Sequence, residues 1–401
     1  MTPAARLSAA IEVLDAIFAG AQPDAALTAW GRASRFAGSG DRYGVRDIVF
    51  DALRCKRSNG ALGGGVTGRG VVLGGLRAQG VPDTDIDALF CGQGHAPGVI
   101  GPADLPRAPT HNEALDAPDW VISVLDADLG AKHVDVLNAL RNRAPVFLRV
   151  NRLRCDRAAA QAKLAQDGVE TQFMQNIKNG LQVVAGNRKI IRSFAYLEGW
   201  VELQDAASQA VIEVIAMPKS GRILDYCAGG GGKTLSIASQ CADLKEVSIF
   251  AHDAMPRRMA DLPARANRAG AKIEIIDNVL LSAPYDLILT DVPCSGSGSW
   301  RRDPQGKWAL TADRLNELVH IQANILDQAA AVLAQGGALA YATCSVLRRE
   351  NEAQIDAFLA RHPNWTCPTL QRFGLTDGSS GDGFFLAILK NGHKNIAATK
   401  A

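Results

Sequence analysis

Apolar residues recur at helical spacing at the start of the chain and in short strand-like runs towards its end. Leu7, Ile11, Leu14 and Ile17/Phe18 form one stripe, and Val45, Ile48, Val49, Ala52 and Leu53 form a second. Residues 1 to about 58 therefore read as helical. Nine glycines between Gly60 and Gly80 weaken a helical reading there and suggest loops between shorter elements. Residues 91–118, with Gly, Pro, Asn and Asp, look like a linker. Residues 119–217 mix helical patterns with one strand at 146–150, the pattern of a small α+β unit. From Gly221 onward, apolar strands at 222–225, 247–252, 272–276, 287–290, 338–342 and 384–389 alternate with helical stretches. Leu315, Leu318, Ile325, Leu326 and Ala329 mark the buried face of a long helix between the fourth and fifth strands, and Ile355, Phe358 and Leu359 mark another after the fifth. Such alternation predicts a doubly wound, mostly parallel sheet. The expected division is a helical domain over 1–117, an α+β domain over 118–217, an α/β domain over 218–392 and a frayed tail over 393–401.

Composition narrows the class. With 401 residues and 47% hydrophobic content, the chain can bury a large core and divide into domains. No apolar run approaches the roughly 18 residues of a membrane span, and the start lacks a basic segment followed by an apolar one. The expected location is the cytoplasm. The eight cysteines never occur as Cys-x-x-Cys or with His at zinc-ligand spacing, so neither disulfide scaffolding nor a metal is expected. The net charge of +2 is small, but residues 141–192 hold eleven Lys or Arg against Asp156, Asp167 and Glu170. That basic segment suits a nucleic-acid backbone.

The candidate chemistry lies at the ends of the later strands. Gly229-Gly-Gly-Gly-Lys-Thr234 invites a phosphate-loop reading, but that loop needs a glycine five residues before Gly232, where Cys227 stands. A first βα turn that accepts a nucleoside cofactor is the alternative. Asp253, just past the second strand, can accept from both ribose hydroxyls and would repel a triphosphate. Asp277-Asn278 after the third strand can address the adenine, and Asp291 after the fourth closes the site. Cys294 and Cys344 each follow an apolar strand, and two thiols at equivalent places suggest covalent chemistry.

Gln204-Asp-Ala-Ala-Ser-Gln209, Leu224-Asp-Tyr-Cys-Ala-Gly-Gly-Gly-Gly-Lys-Thr234, Asp291-Val-Pro-Cys-Ser-Gly-Ser-Gly298 with Trp300-Arg-Arg-Asp-Pro304, and Ala342-Thr-Cys-Ser345 with Glu350-Asn-Glu352 resemble the bacterial RsmB/NOL1/NOP2/Sun family of RNA 5-methylcytosine methyltransferases. The motifs stand in that family's order and spacing over residues 200–390. Leu148-Arg-Val-Asn151 resembles its RNA-recognition segment, and the N-terminal helices resemble the NusB-like RNA-binding domain of its ribosomal branch. The family usually has Ala-Pro where this chain has Gly229-Gly230 and Ala where it has Val292.

The resemblance implies a class I, Rossmann-like S-adenosyl-L-methionine-dependent methyltransferase domain, preceded by an α+β RNA-recognition domain and an all-α NusB-like domain. It implies methylation of carbon 5 of a cytosine, with 16S ribosomal RNA as the expected substrate and transfer RNA as the alternative. An RNA-binding assembly factor that has lost activity is the reading from another class. No obligate protein partner is evident. Carbon 5 is a weak nucleophile until a thiolate adds to carbon 6. Residue chemistry leaves the two cysteines interchangeable; the family pattern implies that Cys344 attacks and Cys294 assists release, with Asp291 on the cytosine edge. Cys227, Ala228, Gly229, Gly230, Gly231, Gly232, Lys233, Asp253, Arg258, Asp277, Asn278 and Asp291 are the expected cofactor residues. Arg149, Asn151, Arg301 and Arg302 are expected to meet RNA, with Trp300 or Trp308 available to stack on a base.

Overall fold

The computed structural model describes residues 1–375 and 381–392; the expected tail at 393–401 lies outside the described residues. By packing, the chain forms two compact units, Met1–Arg143 with Trp300–Ala309, and Ala144–Ser299 with Leu310–Ala401.

The first unit is all-α. Its helices are α1 (Pro3–Phe18), α2 (Pro23–Ala33), α3 (Ser39–Arg54), α4 (Lys56–Leu62), α5 (Gly68–Ala78), α6 (Asp83–Leu89), α7 (His111–Ala114), α8 (Asp119–Leu129) and α9 (Lys132–Leu140). The Thr2 hydroxyl accepts from the Ala5 amide at 3.2 Å to cap α1, with Pro3 at its first position. Leu14, Ile17, Val45, Val49 and Leu53 meet Val71, Leu73, Ile86 and Phe90 in one core, as the two stripes require. The glycine-rich stretch corrects the expectation of loops, because it holds α4 and α5 in backbone contact. A Cβ on Gly74 would lie 1.8 Å from the Asn59 carbonyl oxygen, and one on Gly63 1.8 Å from that of Gly70. The glycines cost helix propensity but permit this approach.

The second unit contains two sheets. β1 (Phe147–Val150), β2 (Glu170–Phe173), β3 (Gly180–Ala185) and β4 (Val201–Leu203) form an antiparallel sheet in the order β2-β3-β1-β4. Leu148, Val150, Leu181 and Val201 pack with Ala160 and Leu164 of α10 (Arg157–Gln166). α11 (Phe194–Leu197) precedes β4, and α12 (Ala206–Val214) leads to the larger sheet.

That sheet runs β5 (Ser220–Asp225), α13 (Gly232–Gln240), β6 (Glu246–Ala251), α14 (Leu262–Ala269), β7 (Glu274–Ile275), β8 (Tyr285–Asp291), α15 (Pro304–Ala309, in the helical unit), α16 (Ala312–Ala331), β9 (Leu333–Thr343), α17 (Glu352–Arg361), β10 (Trp365–Phe373) and β11 (Phe384–Asn391). The strand order is β10-β11-β9-β8-β5-β6-β7. β5–β9 are parallel to one another, whereas β11 and β10 join antiparallel. Successive residues serve opposite faces: Ile223, Leu287, Leu289 and Ala340 enter one core, and Leu224, Ile288, Leu339 and Tyr341 the other. Burial on both sides explains the continuous apolar runs. β5 pairs with β6 on one side and β8 on the other, which opens a crevice beyond the strand ends, where such sheets bind ligands.

Candidate active site

The crevice collects most of the chemistry expected from sequence. Beyond β5, Gly229 and Gly231 take φ of +50° and +80°. A Cβ on Gly231 would stand 2.2 Å from the Leu262 side chain, so the turn into α13 requires glycine there. Asp253, after β6, is buried and accepts from the Gly229 amide at 2.9 Å, the Met255 amide at 2.9 Å and Arg258 Nη1 at 3.2 Å. It thereby ties two strand ends together. Asp225 closes β5. One of its oxygens accepts from the Thr234 hydroxyl at 2.6 Å, while Oδ1 is buried without a partner. Burial drives its carboxyl up to about 7. Burial likewise pushes the Cys227 thiol well above its ordinary range. Asp277 and Asn278 follow β7 on the surface, where the Asn278 side chain accepts from the Leu280 amide at 2.9 Å.

Across the crevice, Lys233 Nζ reaches Asp291 Oδ2 at 2.8 Å and lies 4.9 Å from the centre of the Phe384 ring. Burial works against the Lys233 ammonium, but the Asp291 charge and hydrogen bond outweigh it and hold its pKa above the usual value. Beside this pair the Sγ atoms of Cys294 and Cys344 stand 3.4 Å apart. The hydrogen bond from Cys294 lowers the Cys344 pKa, with help from Lys233 and against burial. The same bond, then burial and the Glu350 charge, raises that of Cys294 well above the ordinary value. When the pair loses one proton, these shifts favour keeping the other on Cys294 and leaving the charge on Cys344.

Both cysteine loops hang on one buried carboxylate. Glu350 accepts from the Ser295 amide at 2.8 Å, the Ser295 and Ser345 hydroxyls at 2.5 Å each, and Gln322 Nε2 at 3.0 Å. Asn351 accepts from the Thr343 hydroxyl at 2.6 Å and donates to the Ser345 carbonyl at 2.9 Å. The Gly298 amide donates to the Cys344 carbonyl at 2.9 Å. In the sequence, Glu350-Asn351 stands in a motif with no role of its own; its position just after the second cysteine is the available signal. Arg265, which donates to the Gly230 carbonyl and pairs with Glu202, has no such signal and was missed.

Three residues expected at RNA are buried instead. Arg149 is 4% exposed, and its Nη1 donates to Gln204 Oε1 and the Gly232 carbonyl, both at 3.1 Å. Asn151 is 2% exposed and donates to the Gly199 and Ala269 carbonyls at 2.8 Å. These side chains join β1 to the larger sheet's helices rather than lying on an open surface. Arg301 is buried in the helical unit, whereas Arg302 is exposed. Trp300 is buried as well, and Trp308 Nε1 donates to the Leu53 carbonyl at 2.8 Å, so neither stands as an open stacking platform. Among the described residues no cluster could hold a metal ion, and no helix is long and apolar enough to cross a membrane.

A family model described as 16S rRNA methyltransferase RsmB/F matches residues 213–394, and one described as the RsmF/B-like ferredoxin-like domain matches residues 117–188. A Synechocystis protein named "Probable ribosomal RNA small subunit methyltransferase B" is 32% identical over 69% of this chain and 67% of its own length. The ribosomal RNA small subunit methyltransferase B of Sodalis glossinidius is 34% identical over 67% of this chain and 64% of its own. The chain thus spans about two thirds of the length of these relatives. The crystal structure of PH0851 superposes with a TM-score of 0.75 at 22% identity, over 97% of this chain and 99% of that one, a likeness of fold.

Proposed function

Because the chain belongs to the RsmB/F family of 16S rRNA methyltransferases, we propose that it methylates carbon 5 of a cytosine in 16S ribosomal RNA, with Cys344 as nucleophile and Cys294 assisting release. The family uses S-adenosyl-L-methionine. The residues fit that group: a glycine turn opens beside Asp253, and the buried Asp225 Oδ1 lacks a partner. Residues 227–233, Asp253 and Arg258 would hold it, with Asp277 and Asn278 at the adenine end, and when bound it supplies an electrophilic methyl group.

The observation that carries the reading is the thiol pair, 3.4 Å apart, with its proton biased towards Cys294. Cys344 Sγ adds to carbon 6 of the cytosine, which makes carbon 5 nucleophilic. Asp291, beside Lys233, hydrogen-bonds the cytosine edge and assists electron withdrawal as the bond forms. Once carbon 5 carries the methyl group, a water molecule takes its proton, the freed pair re-forms the carbon 5–carbon 6 double bond and the sulfur–carbon 6 bond breaks. The bonding pair returns to Cys344 Sγ, where the Cys294 S–H stabilises the departing thiolate. The target base must be single-stranded or turned out of its helix to enter.

Loss of the Cys294 proton donor slows departure more than attack. Cys294→Ala should therefore accumulate a protein–RNA adduct that survives denaturing gels, and Cys344→Ala should form none; the reverse pattern would exchange the two roles. Bisulfite sequencing of RNA treated with the protein should show one newly protected cytosine in 16S RNA, and protection only in transfer RNA would move the substrate.

A further inference from the structure

Four consecutive glycines, 229–232, give the turn into α13 little stiffness of its own. Within the turn, the Gly231 amide donates to the Ala228 carbonyl at 2.8 Å. A further restraint comes from outside, from the four-stranded sheet. β1 and β4 set Arg149 directly opposite Glu202, and both residues are buried. Arg149 Nη1 holds the Gly232 carbonyl directly, at 3.1 Å. Glu202 acts on the turn through Arg265 of α14. Its carboxylate accepts from Arg265 Nη2 at 3.0 Å, and Arg265 Nη1 donates to the Gly230 carbonyl. One cross-strand pair thus reaches two carbonyls of the turn. Arg268, three residues further along α14, also pairs with Glu202, but its guanidinium lies over the Tyr196 ring, 4.4 Å from the centre.

We propose that Arg265 is a positioning residue for the cofactor: anchored by Glu202, its guanidinium orders the glycine turn before S-adenosyl-L-methionine binds. The inference rests on the reading of residues 227–233 as the cofactor turn. Arg265 acts through the Gly230 peptide and not through the reacting atoms. A guanidinium suits this task because its planar fork meets two acceptors at once, the carbonyl on one nitrogen and the carboxylate on the other. The Glu202 side chain is 4% exposed, so it anchors the fork where water competes little. A turn ordered in advance loses less conformational freedom when the cofactor binds, which raises affinity without a new contact.

The test uses the full chain, with S-adenosylhomocysteine as the probe. Arg265→Gln should raise its Kd several-fold in calorimetry and raise the KM for S-adenosyl-L-methionine alike, with kcat at saturating cofactor and the KM for RNA unchanged. In the ligand-free protein, hydrogen exchange should quicken at the Gly231 and Gly229 amides, which donate to Ala228 and Asp253. Arg265→Lys, whose one amine cannot span both acceptors, should show the same changes to a smaller degree, and it carries the test if the glutamine variant does not fold. Arg268→Gln is the control: it takes the other guanidinium from Glu202 and leaves the Gly230 carbonyl held, so its Kd and exchange should match wild type. An unaltered Kd or unaltered exchange in Arg265→Gln, or an equal rise in Arg268→Gln, would overturn the proposal. A wild-type protein that binds no S-adenosylhomocysteine would instead sink the reading of the turn as the cofactor site, and the exchange rates would still decide whether Arg265 orders it.

Discussion

A thiol beside a second thiol shares one proton, and the charges around the pair decide where it rests. Lys233 favours charge on Cys344 and Glu350 disfavours it on Cys294. The attacking form is the thiolate, so activity should rise with pH and level off below the ordinary thiol value of 9.0. Cys294→Ala removes the largest cause of that depression. The inflection for Cys344 alkylation by iodoacetamide should therefore move to higher pH, and an unmoved inflection would show that Lys233 sets it alone. Glu350 makes a prediction of a different kind. Its removal leaves a buried amide, two hydroxyls and an amide side chain without their acceptor. At roughly 1–3 kcal/mol for each unmet group, Glu350→Ala should lose more than about 3 kcal/mol in urea unfolding, with kcat reduced because both cysteine loops lose their anchor. Cys294, Cys344, Asp291, Lys233 and Asp253, which the structure gathers at the ends of the strands, could be placed there from the sequence because their types and strand-end positions mark them. Glu350 could not, because spacing does not tell which amides and hydroxyls a carboxylate will collect. The burial of Arg149 was not legible for the opposite reason: a basic residue in a basic segment reads as surface, and only the strand register turns it inward.

Elements were legible in proportion to their burial. β5, β6, β8 and β9 of the central sheet, and the long α16, follow from apolar runs because both faces of that sheet are covered. Three of the strands that left no sequence signal, β2, β4 and β10, are edges. β2 is mostly exposed and polar, and β10 contains Pro368 at a register shift between Thr366 and Thr369, which only an edge strand tolerates. The α4–α5 pair escaped for another reason. Glycine is a poor helix former, and nothing local shows that the missing Cβ atoms are needed for contact. Paired substitutions separate propensity from packing. Gly40 in α3 has nothing within 4 Å of its Cβ position, so Gly40→Ala should stabilise by up to about 1 kcal/mol. Gly74→Ala gains the same propensity but drives a methyl into the Asn59 carbonyl. Overpacking of about 1–3 kcal/mol or more against backbone that cannot rotate away should win. Its urea midpoint should fall while that of Gly40→Ala rises.

At the scale of the whole chain, the segment Trp300–Ala309 follows the Cys294 loop yet folds with the helical unit. Its attachment is the C-terminus of α3, where the last carbonyls have no partner within the helix. Trp308 Nε1 donates to the Leu53 carbonyl at 2.8 Å, Lys307 Nζ to that of Arg54 at 3.1 Å, and Arg54 Nε to the Arg301 carbonyl at 2.7 Å. Partners about 250 residues apart leave no local pattern, so this return was invisible in the sequence. The arrangement places a buried amine at the negative end of a helix dipole. Burial lowers the Lys307 pKa from 10.5 to about 8, although Asp116 pulls it back up. Between those values the unfolded chain holds a proton that the folded one has released, so this group makes stability rise with pH across the window. Lys307→Met removes the titration and leaves the Arg54 carbonyl short of a donor at every pH. The difference in unfolding free energy between wild type and Lys307→Met should therefore grow in favour of wild type by about 1.5 kcal/mol between pH 8 and 9.5. Other titrating groups cancel in that difference. A gap constant across the range would mean that Lys307 keeps its charge as an ordinary lysine does, and that the helix dipole and Asp116 together offset its burial.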